Sequence, residues 1–256
     1  MTIGIGIGIP FVKIKLDWTP SNIITKLWFD AADVLTLNLD GTKVTQWDDK
    51  SGNNCHATQG TGSYQPTYDS VNSRIDFDGS NDILDVACNA IARNVGELNC
   101  FAVVQYNSQA VAGQAVFFAS RGDSNTSARY LLGNGFVNGT EGFQVAGRRL
   151  DTDSFKEVSN NSKPTGVVLH HGRIDYSSSN AYNYINGALD ASDLSFQTDG
   201  NTQDNDSLQV KIGGIQAGGS NFNGKLHELI LVGAMDADTI AKMNTYLANK
   251  WSIILS

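Results

Sequence analysis

A chain containing Arg74-Ile75-Asp76-Phe77-Asp78-Gly79-Ser80-Asn81-Asp82-Ile83-Leu84 has to supply a sheet for it. Ile75 and Phe77 alternate with Asp76 and Asp78, the period of a half-buried strand. Gly79 to Asp82 tolerate a tight turn, and Ile83/Asp85 then alternate with Leu84/Val86, so the stretch predicts a hairpin. About 140 residues later, Phe222-Asn223-Gly224-Lys225-Leu226-His227-Glu228-Leu229-Ile230-Leu231-Val232 reads as a strand entering from a similar aromatic-Asx-Gly turn. A single antiparallel domain would bring both stretches into one pair of packed sheets.

The composition fits that expectation. Of 256 residues, 41% are apolar and only 17% charged, with 26 glycines, which favours short strands joined by turns over a helical bundle. A net charge of −8 argues against a nucleic-acid partner. No run approaches the ~20 apolar residues of a membrane span. The first residues lack both the basic start and the small-residue cleavage site of a secretory signal. Cys55, Cys88 and Cys100 have no C-x-x-C spacing, so buried thiols are expected rather than a zinc site or a disulfide framework; oxidation of one pair stays open.

The N-terminus is unusual. Ile3, Ile5, Ile7 and Ile9 alternate with Gly4, Gly6 and Gly8, and Pro10-Phe11 follow. Extended, this run would line one face with isoleucine and leave the other as bare backbone. Such a strand suits docking onto a foreign surface, so Ile3, Ile5, Ile7, Ile9 and Phe11 are candidate attachment residues; a frayed terminus or an ordinary edge strand is the alternative. The break at Trp18-Thr19-Pro20-Ser21-Asn22 separates an arm, residues 1–22, from a main domain, residues 23–256.

The main domain carries a series of motifs: Leu27-Trp28-Phe29-Asp30-Ala31; Val44-x-x-Trp47-x-Asp49-Lys50-Ser51-Gly52-Asn53; His56-Ala57-Thr58-Gln59; Gln65-Pro66-Thr67-Tyr68; and Phe77-Asp78-Gly79-Ser80-Asn81-Asp82-x-Leu84. In this order they resemble the N-terminal half of laminin-G-like, concanavalin A-like jelly-roll domains, the subgroup met in bacteriophage and bacterial surface proteins. Phe222-Asn223-Gly224-Lys225-Leu226-x-Glu228-Leu229-Ile230 and the terminal Tyr246-Leu247-Ala248-Asn249-Lys250-Trp251 resemble that family's closing strand and last helix. The resemblance implies an all-β, antiparallel two-sheet jelly-roll sandwich with a C-terminal helix and an extended N-terminal arm. It says little about activity, because this fold hosts lectins, hydrolases and inert modules.

Between these halves, strand-like runs cover 100–106, 115–119, 130–133, 142–148, 166–175, 181–186 and 208–213, joined by Gly/Asn/Asp/Ser-rich turns. Asp236 is placed to cap a helix in which Ile240, Met243, Tyr246 and Leu247 share a face, which should pack on the outside of the sandwich.

Catalysis is not expected. A glucanase of this fold would show Glu-x-Asp-x-x-Glu on one strand, with two carboxylates at glycosidase separation, and no such string occurs. Adjacent His170 and His171 in a strand point to opposite faces and make a poor metal pair. Calcium would suit the oxygens of Asp199, Asn201, Asp204 and Asp206, or of Asp76, Asp78 and Asp82, although Asp and Asn are equally common turn formers. For a glycan, aromatic platforms and planar polar groups are needed; Tyr64, Tyr68, Asn125, Arg148, Arg149, Tyr182 and Tyr184 have the right chemistry.

The expectation that gathers these features is a bacteriophage virion structural protein of the head, collar or tail fibre. The arm would anchor a homotrimeric lectin-like module to other virion proteins, and the module would contact host-surface glycan. The alternatives are a free carbohydrate-binding lectin and, less favoured, a glycoside hydrolase.

Overall fold

The computed structural model describes residues 18–108, 113–121, 127–135, 142–204, 208–216 and 219–256. Candidate residues Ile3, Ile5, Ile7, Ile9, Phe11, Asn125 and Asp206 lie outside them. Among the described residues the strands are β1 (Thr25–Asp30), β2 (Leu37–Asp40), β3 (Lys43–Trp47), β4 (Ala57–Thr58), β5 (Thr67–Asp69), β6 (Arg74–Asp78), β7 (Leu84–Val86), β8 (Glu97–Tyr106) and β9 (Gln114–Ser120). They continue with β10 (Ala128–Asn134), β11 (Phe143–Gly147), β12 (Lys156–Val158), β13 (Val168–Asp175), β14 (Asn180–Ile185), β15 (Ala188–Asp193), β16 (Gln209–Ile212) and β17 (Asn223–Val232). One α-helix, α1 (Ala237–Trp251), follows.

All of these strands pair antiparallel, in two layers. One sheet runs β15-β14-β13-β8-β17, and the far edge of β17 is shared end to end by β6 and β1, with β5 beyond β6. The other runs β12-β11-β10-β9-β16-β7-β4-β3-β2. Among the described strands, the pair Lys43–Thr67 joins the layers at a corner. This is the antiparallel two-sheet jelly-roll sandwich expected from the sequence, with its one helix at the C-terminus.

The two stretches that motivated the fold meet directly, Ile75 opposite Leu226 and Phe77 opposite Gly224. The hairpin does not form. β6 belongs to the β17 sheet, whereas β7 pairs with β16 and β4 in the other layer. The turn between them therefore crosses the sandwich. The Asp78 carboxylate accepts the N–H groups of Ser80 and Asn81, while Asp82 accepts that of Asp78. Asp76 pairs with Arg74 at 2.9 Å. These three carboxylates close a turn or meet an arginine, which is the turn-forming role rather than the calcium one.

Between the layers lies one continuous core that includes Trp47, Phe29, Phe77, Phe117, Phe143 and Phe222. In β8, Leu98, Cys100, Ala102 and Val104 face this core. Phe101 and Val103 face the opposite side, where Met243 and Leu247 of α1 cover them together with Trp28, Leu169 and Ile230. Both faces of β8 are thus dry, and its sequence is apolar without alternation. Asp236 caps α1 by accepting the Thr239 N–H at 2.7 Å. The described part of the segment assigned to the arm, residues 18–22, sits on this face of the domain: Pro20 is buried and Trp18 meets the Tyr246 ring edge-on at 6.3 Å.

The cysteine expectation is corrected. Cys55 and Cys88 form a disulfide, with Cα atoms 5.2 Å apart, and Cys100 is the buried free thiol. The pairing Ala57–Val86, continued two residues outward along antiparallel β4 and β7, places Cys55 opposite Cys88. That register depends on tertiary pairing and has no trace in the cysteine spacing.

Candidate functional site

α1 covers the outer face of β13, β8, β17 and β1, which leaves the β13–β15 end of that face without a helix over it. Here strand alternation turns Tyr182 and Tyr184 outward from β14 while Ala181 and Asn183 point inward. The two rings are nearly parallel, 29° apart, with centroids 6.2 Å apart. β13 backs them. The Arg173 guanidinium lies over the Tyr182 ring at 5.3 Å, and the His171 ring stacks on Tyr184 at 4.9 Å and on Phe101 at 3.9 Å. On the other side edge strand β15 sets exposed Ser192 opposite Tyr182, and Leu189, 56% exposed, opposite Tyr184. The result is a two-ring aromatic wall with a packed back and an open flank.

A polar network fixes its base. Arg173 grips Glu97 with two hydrogen bonds, of 3.1 and 2.9 Å. The Asn99 amide donates to Glu97 at 2.7 Å and to the Gly233 carbonyl at 2.8 Å. Its oxygen is therefore left to accept from His171 Nε2, 3.0 Å away, which places the imidazole proton on Nε2. Burial, with lesser help from His170 and Arg173, pushes the His171 pKa down to about 3, so the ring stacks as a neutral imidazole. Burial also raises the Tyr184 pKa, with Arg173 pulling the other way, and the phenol stays protonated.

Two clefts that share Lys26 lie beyond the Glu97 end of this network. One, of about 300 Å³, is lined by Glu97, Val95, Gly96, Ser177, Gly233, Ala234 and Lys26. The second, of about 450 Å³, includes Lys26, Asn53, Cys88, Asn89 and Ile91. Glu97 ties the wall to the first cleft, and Lys26 borders both.

The other sequence candidates go elsewhere. Tyr68 is buried in the core and donates its hydroxyl to the Ala31 carbonyl, so it has no face for a ligand. Tyr64 lies half-buried on the 3-10 turn Gly62–Tyr64, away from the other candidates in the sheet order. Arg148 and Arg149 leave β11 at one end of the opposite sheet and are held by carboxylates: Arg148 by Asp151 at 3.2 Å and Arg149 by Asp153 at 3.5 Å. Arg121 and Arg129 also meet Asp151, whose pKa burial would raise but the arginines bring below the usual range. Of the calcium candidates, Asn201 directs its amide to Asn94 at 2.9 Å, and no grouping of three metal-ligating side chains occurs among the described residues. Sequence reasoning missed Arg173, Glu97, His171 and Asn99 as a group. Alternation in β13 places His171 and Arg173 on one face, but only the β8–β13–β14 order brings Tyr182, Tyr184, Glu97 and Asn99 beside them.

No family model matches the sequence, and no curated protein matches it. The fold is similar to solved structures at low identity. These include the CBM40 domain of Ruminococcus gnavus IT-sialidase bound to α2,3-sialyllactose (14% identity, 66% of this chain and 94% of that chain, TM-score 0.50). A heptameric SAP-like pentraxin from Limulus polyphemus matches at 14% identity over 66% of this chain and 79% of that chain, TM-score 0.50. The binding domain of botulinum neurotoxin DC, solved with rat synaptotagmin II, matches at 13% identity over 88% of this chain and 52% of that chain, TM-score 0.57. At these identities the likeness is one of fold.

Proposed function

We propose that the chain is a carbohydrate-binding module and that sugar rings stack on the Tyr182–Tyr184 wall, with Arg173 and the adjoining polar groups meeting hydroxyls. The observation that carries this reading is the wall itself: two near-parallel outward tyrosines, backed by a guanidinium and a neutral imidazole, on a sheet face that the helix leaves uncovered. Such platforms offer apolar area at low conformational cost, and a rigid backing keeps that cost low. The CBM40 likeness gives the reading support at the level of fold. The reading is one of binding, and the absence of the Glu-x-Asp-x-x-Glu string of a glucanase from the sequence supports it over β-glucan hydrolysis.

A glycan array with the full chain tests it. Saturable binding to a defined sugar class, lost in Tyr182→Ala, is the expected result; an array silent for the wild-type protein would overturn it.

Carriage on a phage particle, as a trimer anchored by the Ile–Gly run, is a narrower reading whose motivation is the alternation at Ile3 to Ile9. The lectin reading does not depend on it.

A further inference from the structure

β1 carries a bulge: its pairing with β17 slips between Thr25 and Leu27, leaving Lys26 out of register. Bulges of this kind re-aim a side chain. This one is braced from outside the sheet, because the Asn53 amide donates to the carbonyls of Thr25 and Lys26 at 3.0 and 3.1 Å. Lys26 lines both clefts, and its Cε lies beside Gly233. Among the described residues its ammonium has no ion pair and no hydrogen bond, unlike Lys50 and Lys250, which are saturated by Asp30, Asp33 and Glu228. Burial alone lowers its pKa, with no carboxylate acting against it. The carboxylate in the lining of the first cleft, Glu97, is already held by Arg173.

We infer that Lys26 anchors a subsite for the carboxylate of an acidic sugar residue, in the seam that runs from the tyrosine wall past Glu97 to the Cys55–Cys88 disulfide. A half-buried, unpaired cation is stabilised by an opposite charge that arrives with a ligand. The Asn53 side-chain oxygen suits a sugar hydroxyl, Ile91 and Ala90 offer apolar contact, and about 450 Å³ admits a sugar ring. The choice of a sugar as carrier of the carboxylate rests on the proposed carbohydrate-binding function.

The test is a ¹⁵N NMR titration of the full chain with D-glucuronate and, separately, with D-glucose. Glucuronate should shift the Asn53, Gly96 and Gly233 amides saturably and bind at least tenfold tighter than glucose, and Lys26→Met should abolish that preference. Equal response to both sugars, no response at these amides, or an undiminished preference in Lys26→Met would overturn the inference. If glucuronate titrates these amides while no glycan engages the tyrosine wall, the stacking role proposed for Tyr182 and Tyr184 fails and the Lys26 site stands. The reverse pattern removes the Lys26 site alone.

Discussion

The Glu228 carboxylate accepts the indole N–H of Trp28 at 2.8 Å, across 200 residues of sequence. Glu228 is fully buried under α1, where Trp251 Nε1 and Lys250 Nζ each donate to it at 2.7 Å. Lys250 also reaches Asp30 at 2.6 Å, and Lys50 holds the same aspartate at 2.9 Å. Burial raises the Glu228 pKa against the pull of Lys250. Asp30, also desolvated, is brought below its usual range by its two lysines. The first strand, the last strand and the helix are thus tied at one carboxylate. Truncation in Glu228→Ala would strand the buried Trp28 indole donor, take the acceptor from Trp251 and leave Lys250 with Asp30 alone. A loss of about 3–5 kcal/mol is expected. Urea unfolding followed by tryptophan fluorescence measures it, and a loss below about 1 kcal/mol would contradict this role.

The Cys55–Cys88 bond closes a loop of 33 residues in sequence. Chain-entropy arithmetic for such a loop gives about 3–4 kcal/mol. A Cys55→Ala/Cys88→Ala variant should therefore melt well below the wild-type protein, and calorimetry would record it. An unchanged melting temperature would mean the bond adds nothing.

His170 and His171 are both fully buried, and burial is the main cause that lowers their pKa values to about 4 and about 3. The unfolded chain takes up protons near pH 6.5, whereas the folded chain resists until much lower pH. Stability from these rings is therefore complete above about pH 6.5 and is lost as pH falls toward their folded values, on the order of 3 kcal/mol per ring. His171→Phe keeps a ring in the stack and removes one titrating group. It should flatten the stability curve between about pH 6.5 and 4, as read from urea midpoints across that window; a parallel curve would refute the assignment.

At Gly172 the two layers approach closely. A Cβ there would come within 2.7 Å of Leu132, the Tyr130 hydroxyl and Val145. Gly172→Ala should cost about 1–3 kcal/mol by overpacking. Thermal melting checks this, and wild-type stability would show that the layers can part at no cost.

The alternation of Ile75 and Phe77 and the apolar run 229–232 after its turn made the sandwich legible, because strand period and apolar side chains are properties of the sequence alone. Asp236 as a helix cap and the face of Met243 and Leu247 were legible for the same reason. The 79–83 crossover was not. A turn sequence states that the chain reverses, and which layer receives it is decided by the pairings of β16 and β17. The site was half legible. Tyr182 and Tyr184 have a period-two spacing and the right chemistry. Their backing by Arg173 and His171 depends on strand order, and the role argued for Lys26 depends on a bulge that no local signal marks. Tyr68 had the same chemistry as Tyr182, and burial against Ala31 separates them.

The most direct test of the central claim is to map, by chemical-shift perturbation, the oligosaccharide that the array selects. The account predicts that the shifts gather on the outer face of β13, β14 and β15 around Tyr182, Tyr184 and Arg173, and that Tyr182→Ala removes them at unchanged stability. Shifts centred on Arg148, Arg149 and Asp151 at the end of the opposite sheet, with this face silent, would contradict it.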